Sequence, residues 1–187
     1  RIEENDSDVI CLNEVYDANS AYKLYNKLKH RYAHFYINIG SHYFGSKSGL
    51  FVASKYRVLD PNYVPFDPAT LVHYKLINKG FFSFKIANSE SVPFGKIYTS
   101  HLQHSEDDTD PSAEEMHGRR LQLDALFADM QRDRDKSYPT LLTGDLNIGG
   151  KEFEDSILSH HFEKATSRSL IRGTCRRDLA ISRLWGK

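Results

Sequence analysis

The sequence predicts an α/β sandwich, two packed sheets with helices on their outer faces. Three observations carry this. Strand-like runs come in adjacent pairs rather than alternating singly with helices, which favours two largely antiparallel sheets over a doubly wound parallel one. Two helical patterns separate those pairs. Several of the strand runs are apolar almost throughout, as strands covered on both faces are. With 40% hydrophobic and 12% aromatic residues among 187, the chain can bury a core and reads as one domain.

Asp8 to Val15 is the first nearly continuous apolar run, and it ends on a lone carboxylate, Glu14. Cys11 within it reads as a small buried hydrophobe. With Cys175 as the only other cysteine, there is no disulfide framework or cysteine-based metal spacing. Asn19 or Ser20 is expected to cap a helix whose apolar positions are Ala21, Leu24, Leu28 and Tyr32, with Lys23, Lys27 and Lys29 on its wet face. Residues 33–39 alternate as a strand, 40–48 form a polar loop in which Tyr43 and Phe44 pack over the core edge or touch a ligand, and 49–54 form another buried strand. The three prolines between Asp60 and Pro68 mark an irregular or edge segment.

Residues 80–87 and 95–102 read as a hairpin across a turn-rich link, the second strand ending in Ser100-His101-Leu102-Gln103. The acidic stretch 105–110 lacks the glycine and the terminal glutamate of a calcium loop and reads as solvated. Ser112 and Glu115 predict a capping box opening a helix that runs to about Arg134, with Met116, Leu123, Phe127 and Met130 as its apolar stripe. Thr140 to Leu142 then lead as a buried strand into Gly144-Asp145-Leu146-Asn147. A short helix over 153–158 and a weakly marked strand over 178–182 close the chain.

Chemistry gathers at strand ends. Glu14, His101 and Asp145 each follow an apolar run, and Asp145 and Asn147 lie two residues apart, on one side of an extended chain or in an ordinary turn. An anionic acceptor beside an amide suits a phosphate-and-water site. Lysine plus arginine balance aspartate plus glutamate at 25 each, so no net field draws the chain to nucleic acid or an anionic surface. No apolar run reaches the roughly 18–20 residues of a membrane span.

Four motifs in order, Asp8-Val9-Ile10-Cys11-Leu12-Asn13-Glu14-Val15, Ser48-Gly49-Leu50-Phe51-Val52-Ala53-Ser54-Lys55-Tyr56, Ser100-His101-Leu102-Gln103 and Gly144-Asp145-Leu146-Asn147, resemble the endonuclease/exonuclease/phosphatase superfamily. Together with Lys79-Gly80 they look most like its magnesium-dependent neutral sphingomyelinase branch. The resemblance implies a four-layer, DNase I-like sandwich of two mostly antiparallel sheets flanked by helices. It further implies hydrolysis of a phosphoric ester by an activated water, with Mg²⁺ as cofactor and Mn²⁺ as the alternative. By motif, Glu14 is the expected metal ligand, and His101, Asp145 and Asn147 the catalytic set. Lys79, Arg119 and Gln103 are expected at the substrate, with Arg119 and Gln122 fitting a helix pattern of the family.

The implied partner of this expected monomer is a phosphodiester, first a phospholipid head group at a membrane surface; nucleic acid ranks lower. The alternatives are a nuclease or a phosphoinositide or nucleotide phosphatase on the same scaffold, and, from another class, an inactive member or binding module. Two departures bear on this. Asn13 stands where the family has Gln, one methylene longer. The family's first, Asn-bearing strand and its terminal Asp-His pair are expected before Arg1 and after Lys187, so residues 1–187 read as a domain truncated at both ends.

Overall fold

A computed structural model describes residues 6–40, 46–72, 77–107, 110–149 and 152. In chain order these form β1 (Val9–Leu12), α1 (Ala18–Leu28), β2 (His34–Tyr36), β3 (Phe51–Ser54), β4 (Arg57–Pro65), a 3₁₀ turn (Pro68–Thr70), β5 (Gly80–Ala87), β6 (Pro93–His101), α2 (Ala113–Arg132) and β7 (Thr140–Asp145). One sheet has the order β1-β3-β2 and the other β4-β5-β6-β7. Among these strands every pairing is antiparallel except β6 with β7, which run parallel. That parallel pair needs a crossover, and α2 supplies it.

The period-two alternation of the strands sorts their side chains into three apolar layers. Phe51 and Ala53 face α1, packing with Ile10, Leu28 and Tyr32. Leu50 and Val52 face the other way and meet Phe82, Phe84, Ile86 and Ile97 between the sheets. Phe81, Tyr98 and Leu142 point to the far side, against Leu123, Leu126, Phe127 and Met130 of α2. The order is therefore helix, sheet, sheet, helix, the expected four-layer sandwich. Leu141 packs on the inter-sheet layer and Leu142 on the helix side, so β7 is covered on both faces.

Several local expectations change. The α1 cap is Asp17, not Asn19 or Ser20: its carboxylate accepts from Ser20 N at 2.8 Å, and Asn19 and Ser20 form the first turn. The proline-marked segment is an edge segment, as expected, but a regular one: Pro61 and Pro65 lie in the nine-residue β4, whose pairing with β5 breaks between Leu59 and Asn62, and Pro68 opens the 3₁₀ turn. Pro61 sits in that break, where no ladder N–H is required. The capping box of α2 forms as expected from Ser112 and Glu115, but the helix stops at Arg132. Met116 is exposed rather than part of the buried stripe, because the inward face of the first turns is taken by Glu115, Arg119 and Gln122. Cys11 packs on the inter-sheet layer, and desolvation pushes its thiol up to about 12. Tyr43, Phe44, Cys175, the 153–158 helix and the 178–182 strand lie outside the described residues.

Candidate functional site

Two sheets deliver polar groups to one end of the sandwich. His101 ends β6, Asp145 ends β7, and the two stand opposite one another in the parallel register. Leu102 N donates to Asp145 O at 3.0 Å, fastening the two strand ends. From the other sheet the chain leaving β1 brings Glu14, whose Oε1 lies 3.9 Å from His101 Nε2. Val15 N donates to Gly49 O at 2.8 Å and fixes this exit. The His101 ring is buried, whereas 68% of the Glu14 side chain is exposed, so the carboxylate sits at the mouth and the imidazole at the wall.

Backbone conformation at the site is unusual. Glu14 and Asn147 both adopt positive φ, 63° and 51°, a region that disfavours residues with a Cβ and persists only when the surroundings hold it. Gly144, just before Asp145, has φ 130°, and a Cβ there would stand 1.9 Å from Ser100 O. Only glycine lets β7 come this close to β6. Beyond it Asp145 Oδ1 accepts from Asn147 N at 2.9 Å, so the acid and the amide meet through an Asx turn. Of the two outcomes considered for this pair from sequence, the turn is the one present: with Asn147 at φ 51° the chain is not extended there.

Leu102 O is a junction under the site. It accepts from Lys79 Nζ at 2.8 Å and from Asn147 Nδ2 at 2.9 Å. Lys79 is only 2% exposed, and burial pulls its ammonium down to about 8 against the opposing charges of Asp145 and Glu14. Burial, then the charges of Lys79 and His104, lowers His101 to about 3, so its ring is neutral at physiological pH. Tyr16 Oη lies 3.3 Å from His101 Nδ1, and burial followed by the Glu14 and Asp145 charges raises that phenol to about 12. Asn13 Nδ2 reaches Ser100 O at 3.5 Å, the outer limit of a hydrogen bond, and its Oδ1 is buried without a partner among the described residues. A side chain one methylene longer has the reach this one lacks.

The structure thus groups Glu14, Lys79, His101, Asp145 and Asn147, and adds Tyr16, which sequence reading did not select. Gln103 and Arg119 are different. Gln103 Oε1 accepts from Val72 N at 2.9 Å and its Nε2 donates to Glu115 O. Arg119 forms a two-pronged pair with Glu152 at 2.8 and 2.7 Å and donates to Ser105 Oγ at 2.8 Å. Both are buried with their polar atoms turned to protein. Their polar atoms clamp the loop after β6 to α2, as does Gln122 Oε1, which accepts from Gln103 N, and the structure does not bring them into the group above. Lys79, likewise buried, acts on the site through its charge.

Lys79 carries a stability prediction. Because its folded-state value lies near 8 and an unfolded lysine titrates near 10.4, the unfolded chain binds more protons between those values and stability rises with pH across that window. Below pH 8 the full penalty, about 3 kcal/mol, applies. Lys79→Met is expected to raise the melting temperature at pH 7, by an amount that shrinks as pH approaches 10. Thermal melts of both proteins at the two pH values test this, and a gain that does not depend on pH refutes it.

The family model described as the Endonuclease/Exonuclease/phosphatase family matches residues 1–168. The chain belongs to that family. Among solved structures of similar fold, sphingomyelinase C from Streptomyces griseocarneus is 22% identical, with a TM-score of 0.69 over 80% of this chain and 55% of that one. The beta toxin from Staphylococcus aureus with bound magnesium ions is also 22% identical, with a TM-score of 0.71 over 85% and 59%. ANGEL2, a 2′,3′-cyclic phosphatase, is 17% identical, with a TM-score of 0.65 over 86% and 45%. These likenesses establish the endonuclease/exonuclease/phosphatase fold. The chain spans a little over half the length of the sphingomyelinase and the toxin. A search of curated protein sequences gave no match.

Proposed function

We propose that this chain carries the central part of a metal-dependent phosphoric ester hydrolase site, with a sphingomyelin-type phospholipid as the first substrate. The observation that supports it most is the meeting, across two sheets, of an exposed carboxylate, a buried neutral imidazole and an Asx-turned acid–amide pair. Among the described residues no three acidic, histidine or cysteine groups form a cluster that could cage an ion. Mg²⁺ does not ask for one, since it commonly keeps several waters and takes one or two carboxylates together with substrate phosphate. Glu14, exposed at the mouth, fits as the protein ligand, and when bound the ion supplies positive charge to the departing oxygen.

The remaining roles belong to the protein's own atoms. His101, neutral and held 3.9 Å from Glu14, presents an N–H to a phosphoryl oxygen. Asp145 orients the attacking water or the histidine that takes its proton. Asn147, fixed through Nδ2 to Leu102 O, keeps its side-chain amide beside the phosphate. Lys79 adds a buried positive charge behind a site that must receive an anion. The balanced overall charge supports a compact head group over a long polyanion.

The test is hydrolysis of sphingomyelin, phosphoinositides and DNA with Mg²⁺, using the chain extended through its flanking coding sequence beside residues 1–187. Sphingomyelin is expected to lead; preferential cleavage of DNA moves the assignment to a nuclease, and no turnover by either form supports a binding role. Glu14→Gln is expected to weaken Mg²⁺ binding by calorimetry at least tenfold, about 1.4 kcal/mol, with little change in melting temperature. Unchanged affinity together with lowered stability overturns the ligand role.

A further inference from the structure

Tyr16 stands at the site, yet neither the motifs nor the proposed chemistry uses it. It leaves the β1 exit two residues after Glu14, crosses to the other sheet and brings its hydroxyl to 3.3 Å from His101 Nδ1, 85 positions away. Its ring has a built floor. Gly49 has φ 75°, and a Cβ there would stand 2.6 Å from Tyr16 Cε1, so the ring packs where that Cβ would be. Val15 N, donating to Gly49 O, pins the chain next to it. Position and direction of the hydroxyl are therefore set by backbone, not by a flexible stem.

A neutral imidazole has one N–H and one lone pair, and which nitrogen holds the proton is decided by the partners of both. On the Nε2 side stands the Glu14 carboxylate, 3.9 Å away, which favours an N–H directed toward it. On the Nδ1 side stands a phenol able to donate or accept. The arrangement that satisfies both sides has Tyr16 donating and Nδ1 accepting.

We propose that Tyr16 is a positioning residue that donates its hydroxyl hydrogen bond to His101 Nδ1 and thereby holds the ring proton on Nε2, facing the mouth of the site. The lock separates two roles open to His101. A ring locked with Nε2–H outward gives a hydrogen bond to a phosphoryl oxygen, whereas the opposite tautomer offers a lone pair and acts as a base. This rests on the proposed hydrolase site for its catalytic meaning, but not for its test.

The experiment is ¹⁵N NMR of the His101 ring at about pH 8, above the ordinary histidine range, on the unaltered 187-residue chain and on Tyr16→Phe. His101→Gln identifies the resonances. Phenylalanine keeps the ring on Gly49 and removes only the hydroxyl, and circular dichroism and a thermal melt verify that the variant folds. In the unaltered protein Nε2 is expected to give the protonated-type signal and Nδ1 the lone-pair type. In Tyr16→Phe the two signals are expected to move toward each other as both tautomers become populated. A proton found on Nδ1 in the unaltered chain overturns the proposal, and so does a tautomer population that Tyr16→Phe leaves unchanged. Absence of hydrolysis in a separate assay bears on the hydrolase reading and leaves this result intact.

Discussion

Combining His101→Ala with Asp145→Asn is expected to slow phosphodiester turnover scarcely more than the worse of the two single changes. The reason is their placement. The residues face each other at the ends of neighbouring strands, joined by the Leu102 N to Asp145 O bond, and Glu14 lies 3.9 Å from the His101 ring, which places both in the proposed site. Groups that act as a unit lose their whole contribution when either is removed, and each single change is expected to cost about 10² to 10⁴ in rate. Asparagine is chosen because it keeps an Oδ1 to accept from Asn147 N and so preserves the Asx turn. Steady-state kinetics on the extended chain, with melts as control, give the answer. Losses that multiply fully indicate separate roles and dissolve the shared site.

Gly144→Ala is expected to be the most damaging alanine substitution among the described glycines. The added Cβ would stand 1.9 Å from Ser100 O, a backbone atom in the middle of the four-stranded sheet, at φ 130°. Neither partner can yield without breaking the β6–β7 ladder, so a loss of about 4 kcal/mol or more is expected, a large share of the 5–15 kcal/mol that holds a typical domain together. Urea denaturation and the soluble yield measure it. A midpoint within a few tenths of a molar of the parent would mean that the strand ends are held less rigidly than described.

Much of the fold was written locally. The β5–β6 hairpin, the Ser112–Glu115 capping box and the two-faced burial of Leu141 and Leu142 follow from spacing and residue type, because neighbours in sequence create them. What escaped depends on distant contact. Pro61 and Pro65, read as marking an irregular or edge segment, do lie in an edge strand, where a missing N–H costs little; its nine-residue length and its pairing with β5 are what the prolines hid. Asp17, Asn19 and Ser20 are all capping residues, and only the direction in which the chain leaves Glu14 selects Asp17.

The site divides the same way. Strand-end Glu14, His101 and Asp145 were legible because an acid or imidazole closing an apolar run stands out. Arg119 and Gln103 were expected at the substrate only through the family resemblance, not from any pattern of their own. Their partners, Glu152 and Val72, lie 33 and 31 positions away, beyond what pattern can pair. Tyr16 gave no signal of its own; the glycine that makes room for its ring is 33 positions downstream, and only the packed sheets connect them.

Glu14 and Tyr16 arrive on one sheet, and His101, Asp145 and Asn147 on the other. Polar ties across that seam include the long Asn13–Ser100 contact and the Tyr16–His101 bond; the apolar layer between the sheets does most of the joining. The site is therefore a property of the docked pair and has no existence in either sheet alone. A small parting of the sheets, well short of unfolding, separates Glu14 from His101 while leaving each sheet's hydrogen-bond ladder whole. Function in such a molecule is lost earlier than secondary structure under mild denaturant, and a ligand that bridges the seam acts as a staple, tightening the whole sandwich in proportion to its occupancy.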